Sequence, residues 1–209
     1  LGRGPLASPG CDHGGFAKVG AGDGDCDVQF RFLATKSITP DGMSTISDSY
    51  EAAVDHPDGL TIQTIVARPK SRAGEVKLAS RDPAAKPVIS NAYLDDEADV
   101  MTMVKALQKA RSIASRAPLS AYAGNEEFPG EDVADERALA AYVRNTAHTA
   151  NAVVGTCKMG ESSDALAVVD NHLKVIGVSN LRVVDASVMP TLPGGQPQHS
   201  SCRFFSGRR

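Results

Sequence analysis

GTCKMG, residues 155–160, and VVDNHLKVIGVSNLRVVDASVMPTLPGGQ, residues 168–196, carry the reading on which the fold turns. LKVIG and LRVVD are short apolar runs rich in β-branched residues. Residues 178–180 join them as a turn, which predicts two strands running back on each other. The second run stops at DAS, where Asp185 is placed to cap the turn that follows. A strand end followed by such a turn leaves backbone N–H groups free to meet an anion.

Working upstream, a helix over about residues 135–149 delivers the 155–160 loop. Leu139, Tyr142, Val143 and Thr146 form its buried stripe, with His148 and Asn151 near its C-terminus. An earlier helix is capped by Asp95 or Asp96 and ended by Pro118; Val100, Met103, Val104, Leu107 and Ile113 or Ala114 repeat at helical spacing. Before the helices lie strands. VQFRFL, residues 28–33, puts Val28, Phe30 and Phe32 on one face and Gln29 and Arg31 on the other. GLTIQTIVARP, residues 59–69, sets Leu60, Ile62, Thr64 and Val66 against Thr61, Gln63 and Ile65. EVKLAS, residues 75–80, reads as a third strand, and TPDG and DHPDG, at residues 39–42 and 55–59, as turns. Three strands without alternating helices predict a mainly antiparallel sheet. The glycine-rich residues 1–26 read as a loop, and the tail after Gln196 has no periodicity.

Composition narrows the function. With 42% hydrophobic and 22% charged residues and a net charge of −3, the chain has neither a strongly basic nucleic-acid surface nor an acidic tail. No stretch approaches the roughly 18 apolar residues of a membrane span. Cys11, Cys26, Cys157 and Cys202 form no CxxC pair and no zinc-like spacing, which suits reduced thiols. There is no GxGxxG after a strand and no targeting segment to read; the first residue is Leu1.

The 155–160 loop followed by 168–196 resembles the C-terminal signature of the glucose–methanol–choline (GMC) flavoenzymes. The resemblance implies an α+β fold: an antiparallel substrate-domain sheet with helices, plus a strand pair returning to the FAD-binding domain. The N-terminal Rossmann-like region of that domain is missing from these residues. The expected organisation is a glycine-rich active-site loop at 1–27, a substrate domain at 28–160, a returning FAD-binding segment at 161–196 and a divergent tail at 197–209. The cofactor so implied is FAD, held in part by backbone around Asp185 and Ala186 and by the segment at Gln196.

Alcohol-oxidising members carry a histidine three positions before the glycine of the GTCxMG-like loop, where an imidazole takes the hydroxyl proton. Here that position is Ala152, and the partner position matches Gln196. Neither is a useful base. This pairing resembles the fatty acid photodecarboxylase branch of the family, and four other segments agree. SPGCDHGGF is similar to the loop carrying the branch's active-site cysteine, at Cys11. VQFRF is similar to the strand with its substrate arginine, at Arg31. LTIQTIVARP places a substrate-facing glutamine at Gln63, and HTANAVVGTCKMG the active-site asparagine at Asn151. The resemblance thus implies Cys11, Arg31 and Asn151 as catalytic and Arg31, Gln63 and Cys11 as substrate-binding. It further implies a fatty acid as substrate, its tail along Leu33, Ile46 or Ile65, and the chloroplast as compartment. A GMC alcohol or choline-type dehydrogenase, and a truncated product without catalysis that does not hold FAD tightly, stand as the alternatives.

Overall fold

The computed structural model describes residues 13–21, 24–37, 39–41 and 59–193. They fall into two compact units, one drawn from Leu1–Val66 and Asp96–His148, the other from Ala67–Asp95 and Thr149–Arg209. The architecture is α+β, as expected.

In the first unit, β1 (His13–Ala17), β2 (Val28–Leu33) and β3 (Thr61–Val66) form an antiparallel sheet in the order β1-β2-β3. The alternation in VQFRFL explains which face is covered. Val28 and Phe30 are buried against Ala106 of helix α1 (Glu97–Ala114), with Ile62 and Ala110 packed beside them. Burying an apolar side chain of this size contributes about 1.5–3 kcal/mol. β1 corrects the expectation of a loop over residues 1–26. HGGFA pairs with β2 along its whole length, with Ala17 opposite Val28 and His13 opposite Phe32. The connection back to β2 is held by the Asp27 carboxylate, which accepts the N–H groups of Val19 and Gly20 at 2.8 Å.

Asp96 caps α1, its carboxylate accepting the Ala98 N–H at 2.9 Å, and Asp135 does the same for Ala138 at the head of α2 (Glu136–Thr146). Such caps are worth about 1 kcal/mol each. On α1 the buried side falls on Val100, Val104 and Ala106, while Ile113 is exposed. On α2 Leu139 and Val143 are buried. α2 stops at Thr146, with Ala147 as its C-cap, three residues sooner than the spacing suggested.

In the second unit, β4 (Glu75–Lys77) is shorter than EVKLAS. It joins β5 (Val88–Ser90) in a separate two-stranded hairpin rather than extending the sheet of β2 and β3. LKVIG and LRVVD do run back on each other, as a narrow ladder rather than long strands. The Val175 N–H donates to the Leu181 carbonyl at 3.0 Å and the Val183 N–H to the Leu173 carbonyl at 3.1 Å. The turn between them needs left-handed backbone, which Gly177 (φ 82°) and Asn180 (φ 60°) supply. Val169, Leu173 and Val188 are the core here, with Met159, Val175 and Val183 around them.

Candidate functional site

Sheet register decides what can act together in the first unit. Arg31 on β2 lies directly opposite Gln63 on β3 and Gly14 on β1. Directly paired residues share a face, with Cβ atoms about 4.5–5.5 Å apart. The two side chains singled out for the substrate head group therefore stand side by side, on the face turned away from α1. Both are partly exposed. Among the described residues no hydrogen bond or ion pair engages the Arg31 guanidinium or the Gln63 amide. One rung away, Phe16, Gln29 and Ile65 line up on the same face, and Leu33 and Thr61 form the rung beyond. A guanidinium between two polar neighbours, with Ile65 and Leu33 on either side, can take an anionic head that carries an apolar tail.

Gly14 keeps the space beside Arg31 open. A Cβ at this position would stand 2.5 Å from the Phe30 carbonyl oxygen, so β1 can put no side chain there. A shallow concavity of about 350 Å³ lies over these strands, lined by His13, Gly14, Gly15, Phe16, Gln29, Phe30 and Arg31.

The second unit brings the two halves of the signature together. The Cys157 N–H donates to the Ser187 carbonyl at 3.0 Å and the Met159 N–H to the Val188 carbonyl at 2.8 Å, so the GTCKMG loop is laced to the turn after DAS. Asp185 caps a 3₁₀ turn, Ala186–Val188, accepting both the N–H and the hydroxyl of Ser187, at 2.8 and 2.5 Å. Its carboxylate is thus spent within the chain. The Ala186 N–H donates to no described residue. A backbone N–H so placed can meet an anionic or hydroxyl group.

Asn151 lies beyond α2 rather than at its end, exposed and in left-handed conformation (φ 57°), its N–H donating to Thr149 Oγ1 at 2.9 Å. Ala152 is half-buried. His148 is exposed, and its Nε2 bonds the Asp41 carbonyl at 2.9 Å, while the Tyr142 hydroxyl donates to the Pro40 carbonyl at 2.6 Å. Burial raises the Tyr142 pKa above its ordinary value. Two contacts thus tie α2 and its exit to the 39–41 turn, a role the helical stripe did not signal. Cys11, Ile46 and Gln196 lie outside the described residues. No group of acidic, histidine or cysteine side chains among the described residues could hold a metal ion, and no described helix is long and apolar enough to cross a membrane.

The sequence pattern of the GMC oxidoreductases matches residues 69–202. The chain belongs to the GMC oxidoreductase family. It is 43% identical over 198 residues to the chloroplastic fatty acid photodecarboxylase of Chlamydomonas reinhardtii, covering 93% of this chain and 32% of that protein. It is 38% identical over 184 residues to the mitochondrial choline dehydrogenase of Mus musculus, covering 88% of this chain and 29% of that one. The chain therefore spans about a third of the length of these GMC relatives. Among solved structures, pyridoxine 4-oxidase from Mesorbium loti shares the fold at a TM-score of 0.76 and 21% identity, over 96% of this chain and 38% of that one. A formate oxidase from Aspergillus oryzae, studied for modification of its FAD, superposes at 0.70 with 26% identity, over 85% and 30%. FAD is the cofactor of this GMC fold.

Proposed function

We propose that this chain is the substrate-domain part of an FAD-dependent fatty acid photodecarboxylase, which converts a fatty acid into carbon dioxide and a hydrocarbon one carbon shorter. The observation that carries this reading is the Arg31–Gln63 rung on the sheet face turned away from α1. The likeness to the Chlamydomonas photodecarboxylase supports it, as does Ala152 in place of a base. Bound FAD would supply the photochemistry: in blue light one electron leaves the carboxylate, carbon dioxide departs, and the electron returns with a proton to the alkyl radical.

The chain's own residues do the rest. A carboxylate gives up an electron more readily than the neutral acid, and Arg31 favours the ionised form by charge-assisted, potentially bidentate bonds. Gln63, its neighbour on β3, orients the head group without competing for a proton. Leu33 and Ile65 offer the tail an apolar path along the same face. By resemblance to the photodecarboxylase branch we also assign catalytic roles to Asn151 and Cys11, and FAD-binding roles to Asp185, Ala186 and Gln196. The Chlamydomonas relative is chloroplastic, and we propose the same compartment for this protein. For the 209 residues alone we propose no catalysis.

The likeness to choline dehydrogenase favours a second reading, dark oxidation of an alcohol. It lacks a base at position 152, and the His148 Nε2 is already engaged with the Asp41 carbonyl. The test is to give the flavin-loaded, longer protein palmitate and, separately, choline, in blue light and in darkness. Hydrocarbon that needs light is the expected result. Dark oxidation of choline without hydrocarbon would transfer the assignment to the dehydrogenase reading.

A further inference from the structure

Gln29 has no role in the reading so far, yet it shares with Gln63 the neighbourhood of Arg31. It lies two residues along β2 and so shares the Arg31 face, about 6.5–7 Å away along the strand. It lies diagonally across from Gln63, within reach for long side chains. The shallow concavity beside β1 is lined by Gln29 and Arg31 together. Gly14 leaves no β1 side chain opposite Arg31, while Phe16 of β1 stands opposite Gln29.

The neighbours of Gln29 make it more telling. Its cross-strand partners are Phe16 and Ile65, both apolar. Among the described residues, no hydrogen bond engages its amide. An amide between two apolar groups cannot be satisfied by them, and covering it with a ligand that offers no partner would cost about 1–3 kcal/mol. A ligand polar at one end resolves this. A carboxylate has about four lone-pair sites, and the guanidinium fork uses two of them.

We propose that Gln29 is a second head-group donor beside Arg31, so that the anion is held by an arginine flanked by two glutamines, with Phe16 and Ile65 screening the Gln29 side. The proposal rests on the carboxylate reading of Arg31. It assigns Gln29 a substrate-binding role, and its effect belongs in KM.

The variants are Gln29→Leu, Gln29→Glu and, as reference, Arg31→Ala, each in the FAD-loaded longer protein with palmitate in blue light. Leucine suits the Phe16 and Ile65 neighbours and removes the donor. Its KM should rise about tenfold, the loss of one bond to a charged group, with flavin absorbance and melting temperature unchanged. Glutamate adds a like charge, so its KM should rise further and then fall as salt screens the repulsion, a response that a purely structural role would not give. Unchanged KM in both Gln29 variants, with palmitate turnover lost in Arg31→Ala, would overturn the role of Gln29 and leave that of Arg31. Lost flavin or a lower melting temperature with unchanged KM would also overturn it. Unchanged KM in all three would overturn the carboxylate reading and this proposal together.

Discussion

At position 14 a side chain has nowhere to go, and at position 15 it has open space. The nearest obstacle to a Cβ is the Phe30 carbonyl oxygen at 2.5 Å in the first case, and nothing within 4 Å in the second. Gly14→Ala should therefore push β1 off β2 and cost about 1–3 kcal/mol, while Gly15→Ala should be close to neutral; thermal melting of the flavin-loaded protein compares them. Equal melting temperatures would mean that β1 absorbs the methyl group without strain. The alternation in VQFRFL and TIQTIV made the faces of Arg31 and Gln63 legible, but nothing local told that they would meet. Register depends on pairing between segments far apart in sequence. Asn151 was harder. Its left-handed backbone lies five residues past the last helical one, where the helical period carries no information.

Among the elements, the entry to the ladder of residues 169–188 is held by the Asp170 carboxylate. Asp170 accepts the backbone N–H groups of Lys174 at 2.9 Å and His172 at 2.8 Å, holding the turn into the first run. The Lys174 bond is the largest cause of its lowered pKa, with His172 adding to it against desolvation. A carboxyl group whose folded-state pKa is depressed stabilises the fold above its unfolded value, and that stability is lost as pH falls through the folded value. Asp170→Asn keeps an acceptor oxygen but no charge, so its stability should depend less on pH below about pH 4 than the parent's does. Urea midpoints across the acid range measure this, and parallel curves would show that the carboxylate's charge contributes nothing there. The two runs were readable as a returning pair because their turn chemistry is local. β1 and β5 were not. HGGFA shows no alternation across its two glycines, and VIS is too short for periodicity to register; both exist because a partner strand supplies the ladder.

For the whole molecule, the returning ladder is apolar on two sides. Val175 and Val183 pack on its core, while Ile176, Leu181 and Val184 are 39%, 49% and 55% exposed. Runs with this pattern belong to strands covered on both faces, and the GMC relatives are about three times as long as this chain. Among the described residues the Ala186 N–H has no acceptor, and the proposed FAD contact there is a single backbone group. The 209 residues expressed alone should therefore purify without flavin absorbance, whereas the longer protein should be yellow; a yellow short chain would mean that these residues grip FAD unaided. The assignment of substrate rests on the Arg31–Gln63 rung, and one measurement tests it most directly: the rate of hydrocarbon formation from palmitate in blue light by the flavin-loaded protein and its Arg31→Ala variant. On the proposed bidentate hold, loss of the guanidinium would remove two charge-assisted bonds, about 1.5–3 kcal/mol each, so the rate at low substrate should fall at least about a hundredfold while the flavin spectrum stays the same. An Arg31→Ala protein that still makes hydrocarbon at the parental rate, or a parent that makes none in light, would contradict a carboxylate held at that rung.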